Sequence, residues 1–162
     1  MNLIGQIINA MIAYYAGDVR RINHFLKVYG FAKAIGEMEG LDESTQEIIE
    51  IAALTHDIGI KNSEKKYNSS AGNYQQIEGP PEAKKLLAEL GIESGVIDRV
   101  CWLIAHHHTY TDIQGIDYQI LVEADFLANF YEDDMSIDSV HSAGGKMFKT
   151  LSGKAILNAI YS

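Results

Sequence analysis

The sequence predicts an all-α fold, and three observations carry that prediction. Apolar residues recur at three- and four-residue intervals along most of the 162 residues. No stretch alternates apolar and polar residues over the length of a strand. Only two prolines occur, the adjacent Pro80 and Pro81, so most of the chain is free to be helical. The length favours one domain, with a core large enough to need no staples.

The elements follow in order. Leu3, Ile4, Ile7, Ile8, Met11, Ile12 and Tyr15 mark a first amphipathic helix, ended by Gly17. Asp18 is a plausible N-cap for a second, whose apolar face runs from Ile22 and Phe25 to Ile35 before Gly40. Asp42 or Ser44 caps a third, with Glu47 placed for a capping box if Ser44 is the cap. From Lys61 to Gly79 the pattern fails, and a polar loop is expected there, a lid or substrate-contacting segment because it leaves directly from His56-Asp57. Pro80-Pro81 suits the first turn of the next helix, with Leu86, Leu87 and Leu90 inward and Gly91 as its stop. Glu93 or Ser94 opens a helix that ends at His106-His107-His108. A further helix starts near Asp117 and carries Ile120, Leu121, Ala124, Leu127, Ala128 and Tyr131. Two shorter helices, near 137–148 and 154–160, close the chain.

Composition limits the function. Hydrophobic residues make up 47% and charged residues 22%, an ordinary globular balance. The net charge of −9 argues against general nucleic-acid binding, although a local basic pocket can still hold a phosphate ester. The single cysteine, Cys101, lies in an apolar run and excludes an intrachain disulfide, which fits a reducing cytoplasm. The stretch from Met1 to Ala10 is apolar but lacks a basic start, and Gln6 and Asn9 interrupt it. No apolar run approaches the ~20 residues that span a bilayer. A soluble cytoplasmic protein without membrane contact is expected.

The chemistry centres on Ile51-Ala52-Ala53-Leu54-Thr55-His56-Asp57-Ile58-Gly59. A buried helix delivers an imidazole and a carboxylate to the rim of a core, where ionisable groups need partners. His24, His106, His107 and His108 fall at helix ends or along one edge of a buried helix. Asp125 sits in an apolar mid-helix stretch and is expected to be buried, whereas Glu123 nearby reads as a solvated face. His141 reads as structural or surface. Imidazole and carboxylate without thiolate form a ligand set for a borderline or harder divalent metal.

A histidine in the second helix, a His-Asp doublet followed by Ile-Gly, and the later Ala124-Asp125 together resemble the HD superfamily of metal-dependent phosphohydrolases. The resemblance covers about Ile22 to Leu127, with further similarity in Ile104-Ala105-His106-His107-His108 and in Phe148–Lys154. It implies a single compact HD-domain-like helical bundle over 1–162, with the metal-site core at about 18–131 and C-terminal helices at 137–160. It implies that His24, His56, Asp57 and Asp125 bind one divalent ion among Mn, Fe, Co, Ni, Zn and Mg. His107 best matches a further histidine that contacts substrate or helps hold a second metal, with His106 and His108 as the other candidates for that role. Where two-metal relatives place another histidine, this chain has Gln75, Gln76, Ile77 and Glu78, so Glu78 or Glu82 would have to stand in.

The implied activity is hydrolysis of a small phosphate ester or nucleotide by a metal-activated water. Asp57 would ligate and orient the water, His107 would serve the phosphate or leaving group, and Lys61 would neutralise phosphate charge. Two competing expectations remain: a diiron HD-type oxygenase, and a non-catalytic regulatory or binding module. For oligomeric state, a homodimer through an exposed helix face is a prior expectation.

Overall fold

The computed structural model describes residues 2–162. Among the described residues there are nine α-helices and no strand: α1 Leu3–Tyr14, α2 Val19–Glu39, α3 Glu43–Thr55, α4 Ile60–Tyr67, α5 Gly72–Glu89, α6 Ser94–His106, α7 Ile116–Glu132, α8 Ile137–Met147 and α9 Leu151–Ile160. The all-α expectation is met; Met1 lies outside the described residues.

Short polar side chains start most of these helices. Asp18 accepts from Arg21 N (3.1 Å), Asp42 from Thr45 N (2.9 Å) and Glu93 from Gly95 N (2.9 Å). Each fills one of the amide donors that a helix leaves open at its N-terminus. Asp42, not Ser44, is therefore the cap of α3. At the other end of α2, Gly40 takes the left-handed conformation (φ 71°) that stops a helix with least strain.

α3 is the axis of the fold. From Ile49 to Thr55 every residue is buried, as is every residue of α7 from Asp117 to Asp125. α2 packs against both, α6 covers α3 from another side, and α5 lies on α6. Apolar residues from eight of the nine helices join one core, from Ile7 on α1 to Leu157 on α9. The helices that carry the predicted ligands are thus held in place by packing alone.

Two expectations fail between residues 61 and 81. The polar loop is instead α4 and the first half of α5, joined by a short connection at 68–71. Polar composition misled because α4 is a surface helix that buries only Ile60 and Ser63, and Ser63 Oγ donates to Gly59 O at 2.7 Å. The prolines lie inside α5, not in its first turn. Their missing amides deprive the carbonyls of Gln76 and Ile77, one turn back. Ile77 is 60% exposed, so water reaches that side of the helix and the loss is tolerable.

A third correction concerns Glu123, which is fully buried rather than solvated. Its carboxylate accepts from Gln119 Nε2 (2.6 Å), Lys149 N (3.0 Å), Thr150 N (3.1 Å) and Thr150 Oγ1 (2.6 Å). A buried carboxylate is tolerable when its lone pairs are filled in this way. Glu123 thereby ties α7 to the start of α9, and Glu39 adds a bond to Ser152 N (2.8 Å) from α2.

Candidate metal centre

Four side chains predicted as ligands meet at the centre of the fold. α2 presents His24, the end of α3 presents His56 and Asp57, and α7 presents Asp125. His24 Nε2 lies 3.2 Å from His56 Nε2, 3.2 Å from Asp57 Oδ2 and 3.1 Å from Asp125 Oδ1. His56 Nε2 lies 3.4 Å from each of the same two carboxylate oxygens. His107, on the cap of α6, points its Nε2 at Asp57 Oδ1 (3.4 Å).

The other ring nitrogens fix the tautomers. His56 Nδ1–H donates to Ala53 O (2.7 Å), and His107 Nδ1–H to Ile104 O (2.7 Å). His24 Nδ1–H donates to the Glu132 carboxylate (2.6 Å), which Lys27 pairs from behind (2.9 Å). A carbonyl or carboxylate only accepts, so each neutral ring must keep its proton on Nδ1. Three Nε2 lone pairs then face carboxylate oxygens and one another, and the buried His107 Nε2 has no hydrogen-bond partner. Lone pairs converging on anions require a cation between them. The donor set therefore fits a divalent metal, and the Nδ1 bonds supply the orientation that metal-ligating histidines ordinarily have.

Without a metal, protons take that place. Burial alone would lower the pKa of His24, but bonds to Asp125 and Asp57 outweigh it and raise it to about 10. His56 is likewise raised, the two carboxylates overcoming burial. For Asp57 and Asp125 burial pushes up, yet the imidazoles hold both below the usual carboxylate range.

Above the centre opens a cavity of about 460 Å³. Asp57, Asp125, His24 and His108 form its floor, while Arg20, Arg21 and Asp18 from the start of α2 form part of its rim. His108 faces this space with Nε2–H donating to Gln75 Oε1 (3.0 Å). The Gln75 amide is oriented by Ser70 O, which accepts from its Nε2 (2.7 Å). Burial, and then His107 beside it, lower the pKa of His108 to about 4, so its ring is neutral.

Other sequence candidates lie elsewhere. Lys61 donates to Tyr14 O (3.0 Å) and sits over the Tyr14 ring, in a smaller neighbouring cleft; the cations at the cavity are Arg20 and Arg21 instead. Glu78 is buried but held by Lys66 (2.6 Å), and Gln75, one turn earlier on α5, occupies the position facing the site. Glu82 is near Tyr14, whose pKa rises to about 12 through burial and then that carboxylate. His106 turns outward, donating to Trp102 O (2.7 Å) and stacking on the Trp102 ring. His141 donates to Tyr161 O (2.7 Å) at the surface.

Sequence reasoning passed over Glu132 and Asn129. Both follow Asp125 on the same face of α7, Asn129 Nδ2 donating to Asp125 Oδ1 (3.2 Å). Helical spacing from Asp125 was the signal that would have found them. Arg21, three residues before His24, carried the same signal.

Fold and site together define an all-helical protein with a buried His/Asp cluster that could hold a metal ion. Residues 21–140 match the HD domain, and the chain belongs to that family, whose members' common feature is a divalent-metal site. The crystal structure of a predicted HD superfamily hydrolase from an uncultured Thermotogales bacterium is similar, with a TM-score of 0.69 at 20% identity. The alignment covers 97% of this chain and 84% of that one. No curated protein matches the chain. That likeness shows a shared fold. Among the described residues, no helix is long and apolar enough to cross a membrane.

Proposed function

We propose that the protein is a metal-dependent phosphohydrolase that cleaves a small phosphate ester by attack of water. The observation that carries this reading is the convergence of His24, His56, Asp57 and Asp125 with the unpartnered Nε2 of His107 under an open cavity. A divalent ion held there would polarise a phosphoryl oxygen and lower the pKa of water. Asp57 is shared: its Oδ2 faces His24 and His56, and its Oδ1 faces His107. Tyr15 fixes the doublet from outside by donating its hydroxyl to Asp57 O (2.7 Å). With its Nδ1–H committed, His107 Nε2 is the atom that takes or returns a proton beside Asp57 Oδ1. His108 is held by Gln75, which favours one firmly bound ion over two. The diiron reading rests on Asp57, His107 and His108, whose ligand atoms lie within 4.8 Å of one another.

Elemental analysis of protein purified without chelator, paired with a phosphate-release assay, tests these readings. One equivalent of a divalent ion with phosphate release is expected. Two equivalents of iron, oxygen consumption and no phosphate release would replace the hydrolase with the oxygenase. His56→Ala and Asp57→Ala should each abolish both metal content and phosphate release while the far-ultraviolet helical signal persists. Wild-type turnover in either variant rejects the site.

A further inference from the structure

We infer that the cavity is built for a single phosphoryl group on an uncharged, hydroxylated body, a sugar or polyol monophosphate, and that Asp18 and Glu64 enforce this by neutralising Arg21. The inference rests on the phosphohydrolase reading and deepens it.

Charge is the first argument. The two guanidiniums at the rim resemble a second anion site, but neither is free. Arg21 Nη1 bonds Asp18 Oδ2 (2.7 Å) and its Nη2 bonds Glu64 Oε1 (2.5 Å), so two carboxylates share one cation. Arg20 lies 3.7 Å from Asp133. Of the other carboxylates lining the space, Asp57 and Asp125 belong to the metal, and Glu132 is balanced by Lys27. A divalent ion held by Asp57 and Asp125 would have its charge balanced by them, yet it would be the one cation at that cavity with positions left open for a phosphoryl oxygen. One phosphoryl group fills those positions, whereas a second would lie beside Asp18, whose partner Arg21 is already shared with Glu64 outside the lining. Like charges brought together out of bulk water oppose binding strongly.

The lining is the second argument. Ile60 is its one apolar side chain, and it holds no aromatic ring apart from imidazole. Nucleobases are ordinarily gripped by apolar or aromatic faces. The aromatic surface nearest in sequence to His108, Tyr110 against Phe126, lines a separate cleft with the Tyr110 hydroxyl 3.4 Å from His108 Nδ1. What the wall does offer is Asp18, Ser70 and Asn129, short polar groups that match hydroxyls.

The test uses the full chain supplemented with Mn2+. Values of kcat/KM for ribose 5-phosphate, fructose 1,6-bisphosphate, AMP and ATP would be measured alongside calorimetric binding of the two sugar phosphates. Ribose 5-phosphate should exceed each of the others by about tenfold or more. Asp18→Asn keeps an efficient helix cap while removing the charge, and Glu64→Gln changes a half-exposed side chain outside the cavity lining. Each should shift the bisphosphate-to-monophosphate ratio upwards, and the double variant most, by about tenfold. A wild-type preference for ATP, AMP or the bisphosphate overturns the inference, as does a ratio unmoved in Glu64→Gln and in the double variant. If no ester is hydrolysed, the parent reading falls, and the calorimetric preference between the two sugar phosphates decides the ligand inference on its own.

Discussion

At the scale of single residues, the histidines are set by the groups behind them. Glu132 holds His24 Nδ1 at 2.6 Å and directs its Nε2 towards the two aspartates. Glu132→Gln keeps the size but weakens that bond and leaves Lys27 without a counter-charge. Outer partners of this kind are typically worth about 10–100-fold in metal affinity. A loss in that range is expected by competition with a chelating dye, with no change in helical content; unchanged affinity would remove Glu132 from the site. The four residues at the centre were legible because chemistry singles them out: charged groups in apolar surroundings need partners. Glu132 was not, because an acidic residue at the end of a helix is ordinary. Lys61 misled for the converse reason, since nearness in sequence to Asp57 says nothing about which way a helical side chain points.

At the scale of elements, the turn after α3 is pressed against α5 without side chains between them. A Cβ on Gly59 would lie 2.6 Å from Gly79 N and 2.7 Å from Gln75 O, while one on Gly79 would lie 2.6 Å from Ile104 Cγ2. Both obstacles at Gly59 are backbone and have no room to yield. Gly59→Ala should therefore destabilise by about 1–3 kcal/mol, the usual range for overpacking, read as a lower denaturation midpoint. Metal affinity should fall with it, because the doublet is displaced.

The second element test concerns α9. Glu123→Ala removes a carboxylate that four donors share and strands the Thr150 amide in the interior. Leaving buried donors unsatisfied costs about 1–3 kcal/mol each. Faster hydrogen exchange is expected first in α9, and uniform exchange across the helices would contradict this role. Helix identity in α1–α3, α6 and α7 was readable from apolar spacing. α4 and the start of α5 were not, because a surface helix with few inward residues leaves almost no periodic signal. Glu123 was misread because three of its four donors come from a segment 26 and 27 residues away.

At the scale of the whole molecule, a metal would act as a cross-link. It would join α2, the end of α3 and α7, and the His24–Glu132 bond alone spans 108 residues of chain. Binding only the folded state stabilises by about 2.7 kcal/mol at a metal concentration one hundred times Kd. The effect depends on pH in a defined direction. His24, raised from 6.5 to about 10 in the metal-free fold, contributes stability that is complete below 6.5 and is lost as pH rises through about 10. Asp57 and Asp125, held below their ordinary 3.8, contribute above that value and lose their share as pH falls. The melting temperature of the metal-free protein should decline between pH 6.5 and 10. The loaded protein should show a flatter profile there, because metal replaces the protons. Parallel profiles for the two forms would disprove the exchange of metal for protons.

The position of the rim has an evolutionary consequence. Asp18 and Arg21 stand on the first turn of α2 and Glu64 on a short surface helix, whereas the histidines and aspartates below them belong to tightly packed elements. Substitutions that retarget the cavity can therefore accumulate without loosening the ligands. A scaffold with that division is easily diversified: new specificities can be reached by exchanging a few peripheral charges while the His/Asp floor is inherited unchanged.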